Sequence, residues 1–121
     1  MVNLNKQEIE NLRLAILANL EDSNAKDITA INLAGKSDLC SHMIIASATS
    51  ERHVVSIAEK LIFALKHHAL DIPYHAEGLT EGKWVLVDTA DIAIHIFHPE
   101  IRAYYDLETL WQDPKSRNKQ N

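Results

Sequence analysis

The residue pattern predicts a single α/β domain, a mixed sheet of about five strands flanked by helices in the order α-β-β-α-β-β-β-α. Three observations carry that expectation. Two long segments place apolar residues at three- and four-residue spacing, as amphipathic helices do. Short runs rich in β-branched and aromatic residues, bounded by turn formers, read as strands. The first link between strands is too short for a crossover, and the second holds a helix of the length that joins parallel strands.

Asn5 to Glu21 puts Ile9, Leu12, Ala15, Ile16 and Leu20 on one side and Glu8, Glu10, Asn11 and Arg13 on the other, a cover helix that ends at Asp22-Ser23-Asn24. Asp27 to Leu33 alternates enough to form a first strand, Gly35-Lys36-Ser37 turns the chain, and Leu39 to Ser47 returns antiparallel to it. Thr49 and Ser50 are N-cap candidates, and Glu51 favours the positive end of the helix that follows. That helix carries Val54, Val55, Ile57, Ala58, Leu61, Ile62 and Leu65 and runs to about His68. After Pro73 a short strand, Tyr74 to Glu77, leads through the Gly78 to Lys83 loop into Trp84 to Val87. Asp88-Thr89-Ala90-Asp91 joins this run to Ile92 to Phe97 as a hairpin. Both runs are largely apolar on both faces, which suits central strands covered on both sides. Pro99 opens a short helix with Ile101, Tyr104 and Tyr105, and Asp106 is placed to cap a second turn with Leu107, Leu110 and Trp111. Residues 1–112 form the domain, and residues 113–121 read as a polar, disordered tail.

At 121 residues the chain can bury roughly two-thirds of its unfolded surface without a disulfide or metal staple. Its one cysteine, Cys40, cannot pair internally. No run reaches the roughly 18 apolar residues that span a bilayer, and Met1 to Lys6 lacks an apolar signal core, so a cytoplasmic protein without a membrane role is expected. The net charge of −5 includes a basic end, Lys115, Arg117 and Lys119, so the body is more acidic still. An acidic body without a basic stripe disfavours sequence-specific nucleic acid and favours a basic protein partner.

Asp88, Asp91, His95 and His98, with His53, are the chemistry-bearing set, since carboxylates with imidazoles build metal sites and acid–base pairs. Strand alternation separates His95, on the parity of Ala93 and Phe97, from His98, on that of Ile94 and Ile96. One reading makes His95 a hydrogen-bonded histidine in a packed sheet and gives Asp88 and Asp91 to the turn. The other is a metal-dependent nucleotidyltransferase-like or hydrolytic enzyme using Asp88, Asp91 and His95. Cys40 has no nucleophile motif around it, and three glycines leave no phosphate-binding loop. Trp84, Tyr104, Tyr105 and Trp111 lie among carboxylates in one stretch, a composition that suits a protein contact.

The segments Ala46-Ser47-Ala48-Thr49-Ser50-Glu51-Arg52-His53-Val54, Trp84 to Asp91, His95 to Glu100, Tyr105 to Glu108 and Leu110-Trp111, in this order, resemble the ribosomal silencing factor, or Iojap-related, family. The resemblance covers Ile9 to Trp111. It implies a nucleotidyltransferase-like α/β fold with no catalytic residues, metal or cofactor. It further implies binding to the large ribosomal subunit through the ribosomal protein numbered fourteen, which sterically blocks the small subunit and represses translation when nutrients are short, with a part in large-subunit assembly. Matched by position, the binding candidates are Ser50, Arg52, His53, Trp84, Asp88, Asp91, His95, His98, Glu100 and Tyr105. Ser41 stands where the family often has an acidic residue, and Ala48 and Ala90 stand where it often has glycine, which predicts differently shaped turns. A homodimer through an exposed strand edge or helix surface would compete with the partner where the surfaces overlap.

Overall fold

The computed structural model describes residues 4–35, 40–68 and 70–106. Helix α1 (Lys6–Asp22) starts at Asn5, whose side chain accepts the Glu8 amide while the Glu8 carboxylate accepts the Asn5 amide. This reciprocal cap satisfies two amides that a helix start leaves without partners. Strands β1 (Lys26–Asn32) and β2 (His42–Ser47) follow, then α2 (Glu51–Lys66), β3 (His75–Glu77), β4 (Trp84–Asp88), β5 (Ile92–Phe97) and α3 (Pro99–Tyr105). The element order is the expected one. The second strand starts later than Leu39: Cys40 and Ser41 precede it, and residues 36–39 lie outside the described portion.

The five strands lie in the order β1-β2-β5-β4-β3. β1 and β2 are antiparallel, β5 runs parallel to β2, and β4 and β3 continue antiparallel from it. The strand after the crossover helix is therefore parallel to β2, as expected, but it lies at the far edge. The last strand, β5, fills the gap, and all six of its residues are buried.

α1 and α2 pack on one face of this sheet. Leu12, Ile16 and Leu20 of α1 and Val54, Ile57, Ala58, Leu61 and Leu65 of α2 meet Ile44, Ala46, Val85, Val87, Ile92, Ile94 and Ile96 in one core. The other face carries a smaller cluster, Ile31, Leu33, Met43, Ile45 and Phe97, with Cys40, Trp84 and Ile101 against it. β4 is thus not covered equally on both sides. Val85 and Val87 are buried, whereas Trp84, Leu86 and Asp88 are half-buried. The hairpin is shaped by Thr89 rather than by the aspartates around it: its hydroxyl donates to the Ile92 carbonyl at 3.0 Å and accepts the Ile92 amide at 2.9 Å.

Ala48 and Ala90 both keep negative φ. Neither turn uses the left-handed geometry for which glycine is favoured, so alanine fits both. Asp106 ends α3 in the left-handed conformation with its amide on the Arg102 carbonyl. The expected second turn and tail lie outside the described residues. Among the described residues no helix is long and apolar enough to cross a membrane.

Candidate functional site

Alternation along β4 sends Trp84, Leu86 and Asp88 to the face away from the long helices, and register sets them beside Phe97, His95 and Ala93 of β5. The Trp84 indole N–H donates to His95 Nδ1 at 2.9 Å. That bond makes Nδ1 an acceptor and places the imidazole proton on Nε2. The Trp84 ring lies 4.9 Å from Phe97 and 5.7 Å from His95, and the His95 and Phe97 rings stack at 5.9 Å. His95 is only 8% exposed, and burial pushes its pKa down to about 4. A buried imidazole held neutral and engaged by an indole serves as a prop for that ring, and is poorly placed to shuttle protons near neutral pH.

Beside this platform lies an acidic margin. His75 and Glu77 of β3 stand opposite Asp88 and Leu86, and His75 Nε2 lies 3.1 Å from a Glu77 carboxylate oxygen. Burial raises the Asp88 carboxyl pKa; His75 opposes the shift and Glu77 adds to it. Glu77, Gly78, Trp84 and Leu86 line a groove of about 350 Å³. Gly78 has φ +90°, and a Cβ there would sit 2.1 Å from the Trp84 carbonyl oxygen, so the loop crosses β4 at a distance that only glycine permits.

At the other side of the same face, α3 is fastened by Arg102. Its guanidinium donates to Ser47 Oγ at 2.7 Å and to Thr29 Oγ1 at 3.2 Å, while Ile101 joins the Phe97 cluster. Tyr104 on this helix is 80% exposed. Arg102 thus holds two strands to a helix.

The candidates divide among several places. Trp84, Asp88 and His95 share the platform face. Ser50 caps α2, accepting the His53 amide at 3.1 Å. His53 bridges elements: Nε2 meets the Ser23 carbonyl at 3.1 Å and Nδ1 accepts the Thr49 amide at 3.1 Å, tying the end of α1 to the start of α2. Arg52 is exposed and lines a separate depression of about 420 Å³ with Glu51, Glu59 and Glu81. His98 caps α3, and with Glu100, Glu51, Lys83 and Ile101 it lines a cavity of about 240 Å³. Asp91 lies in the hairpin turn, where its carbonyl accepts the amides of Ser41 and His42 at 2.8 and 3.2 Å. Tyr105 closes α3. Among the described residues no three His, Cys, Asp or Glu side chains are arranged to hold a metal ion. Leu86 and Glu77 border Trp84 on this face, and buried Phe97 supports its ring from within the sheet. Parity with Trp84 and His95 marks Leu86 and Phe97 in the sequence, whereas Glu77 needs the sheet register.

Comparison with known proteins gives the surface its context. Residues 6–121 match the family model described as ribosomal silencing factor during starvation. A ribosomal silencing factor of Zymomonas mobilis is 42% identical over 102 residues, which span 84% of this chain and 76% of that protein. A mouse protein named for mitochondrial assembly of the ribosomal large subunit is 34% identical over 94 residues, 76% of this chain and 41% of its own length. The crystal structure of a Chromobacterium violaceum protein, 36% identical, superposes with a TM-score of 0.82 and covers 89% of each chain. Fold, sequence and the extent of the match agree, and the chain belongs to the ribosomal silencing factor family.

Proposed function

We propose that this protein is a noncatalytic factor that binds the large ribosomal subunit through its ribosomal protein fourteen, using the sheet face built on Trp84. Once bound, it occupies ground that the small subunit must approach, and translation falls under nutrient limitation. The observation that carries the reading is the platform: an indole held by a hydrogen bond to His95 and by packing on Phe97, half-buried beside Leu86 and an acidic margin. Rigid aromatic rings next to complementary charge are what protein contacts use, because little side-chain freedom is lost on binding. The acidic charge of the chain suits a basic ribosomal protein. A part in large-subunit assembly follows from the same docking and is supported by the name of the mouse relative. Cytoplasmic action, without cofactor or metal, belongs to this reading.

Light scattering on purified subunits tests it. Large subunits incubated with the protein before small ones are added should associate less as occupancy rises. Trp84→Ala should lose affinity by roughly a hundredfold, the scale of a central aromatic anchor. Normal association at full occupancy would remove the occlusion mechanism and leave assembly as the role.

A further inference from the structure

Resting on that docking reading, we infer that the groove beside Trp84 seats one arginine side chain of the basic partner, its stem along Trp84 and Leu86 and its guanidinium on Glu77. The volume, about 350 Å³, is at the low end for small-ligand sites and is large enough for one inserted side chain. Among the described residues the lining combines an indole, a leucine and one carboxylate and includes no lysine or arginine. A guanidinium satisfies all three: it is weakly hydrated, stacks on aromatic faces and pairs with a carboxylate in a planar fork. An anionic group would meet Glu77 with no cation among the described lining residues to offset the repulsion. An aliphatic group would gain nothing from the carboxylate.

The surroundings favour the same occupant. Asp88 lies on the same face as Leu86, two residues on along β4, and extends the negative margin. His95, the imidazole behind the Trp84 ring, is kept neutral by burial and adds no competing charge. His75 does compete, since it shares the Glu77 carboxylate at 3.1 Å, but both side chains are largely exposed and such a pair yields readily. The close crossing of Gly78 over the Trp84 carbonyl fixes the groove wall before any partner arrives.

The test uses the full chain and purified large subunits, with binding followed by co-sedimentation at increasing salt. Glu77→Gln should weaken binding roughly three- to tenfold at low salt and flatten the salt dependence, and Glu77→Lys should weaken it further. Wild-type affinity and salt dependence in both variants, with Trp84→Ala still failing to bind, would overturn the arginine seat and leave the docking face standing. A folded Trp84→Ala that binds like wild type would instead overturn the docking face itself. Deletion of residues 113–121 should leave affinity within about twofold, because the seat belongs to the partner. A several-fold gain would assign the groove to the chain's own basic end and overturn the inference.

Discussion

The two faces of the sheet follow different rules. Toward α1 and α2 the strands send Ile44, Ala46, Val85, Val87, Ile94 and Ile96, all aliphatic and all at 0% exposure. Toward the other side they send Met43, Ile45, Trp84, Leu86, Asp88, His95 and Phe97, a mixture of rings, an imidazole and a carboxylate. β4 obeys both rules within five residues. On the docking reading proposed above, one parity of this strand belongs to the aliphatic core and the other to the recognition face.

The largest effect should come from the helix-covered face. Ile94→Ala deletes a fully buried side chain between two helices and the sheet, and should cost about 2–5 kcal/mol in urea unfolding, with affinity for large subunits unchanged while the domain stays folded. A cost under roughly 1 kcal/mol would mean that this face does not dominate stability.

A smaller effect, from the other face, should appear with pH. His95 titrates near 6.5 when unfolded and at about 4 when folded, so as pH falls the unfolded chain takes up the proton first. The stabilisation is complete above about pH 6.5 and is lost progressively toward about pH 4, up to roughly 3 kcal/mol in all. His42, also depressed by burial, adds in the same direction, while the raised carboxyl of Asp88 works the opposite way at the acid end. Urea titrations from pH 7 to pH 5 should show the slope in the wild type and a shallower one in His95→Phe. Parallel slopes would clear His95 of the effect.

The smallest expected change sharpens the contrast by using a residue that the family pattern places among the binding candidates. Ser50→Ala removes the α2 cap and should cost about 1 kcal/mol of stability without altering subunit binding. A binding defect at unchanged stability would return the α2 start to the contact surface.

Much of the fold was legible because its signals are local. Helix periodicity, the Pro99 start and the turn residues at each strand end predicted the elements to within a few residues. Sheet order was not legible, because β2 and β5 pair across the whole of α2, β3 and β4 and no local pattern records that neighbour. The site was half legible for the same reason. Trp84 and Asp88 share a face by simple parity, but bringing His95 to that face and into a hydrogen bond with Trp84 depends on register. Ser50 and His53 bond within or between elements of the scaffold, so a recurring residue there says nothing by itself about contact. The Arg102 clamp joins residues separated by 55 and 73 positions, beyond the reach of any motif.

The place of β5 has a further consequence in time. Among the described strands it is the last to be synthesised and the middle one in space. Until Phe97 has left the site of synthesis, the β1–β2 hairpin and the β3–β4 pair have no strand between them to complete one sheet. The inner edge of β2 therefore has no sheet partner while α2, β3 and β4 are being made, and an unpaired edge is open to strand addition by neighbouring chains. Closure then depends on a pairing between distant segments, the kind that folds slowly and in one cooperative step. A chain cut short before residue 92 lacks β5, and the β1–β2 and β3–β4 pairs then have no strand to join them into one sheet.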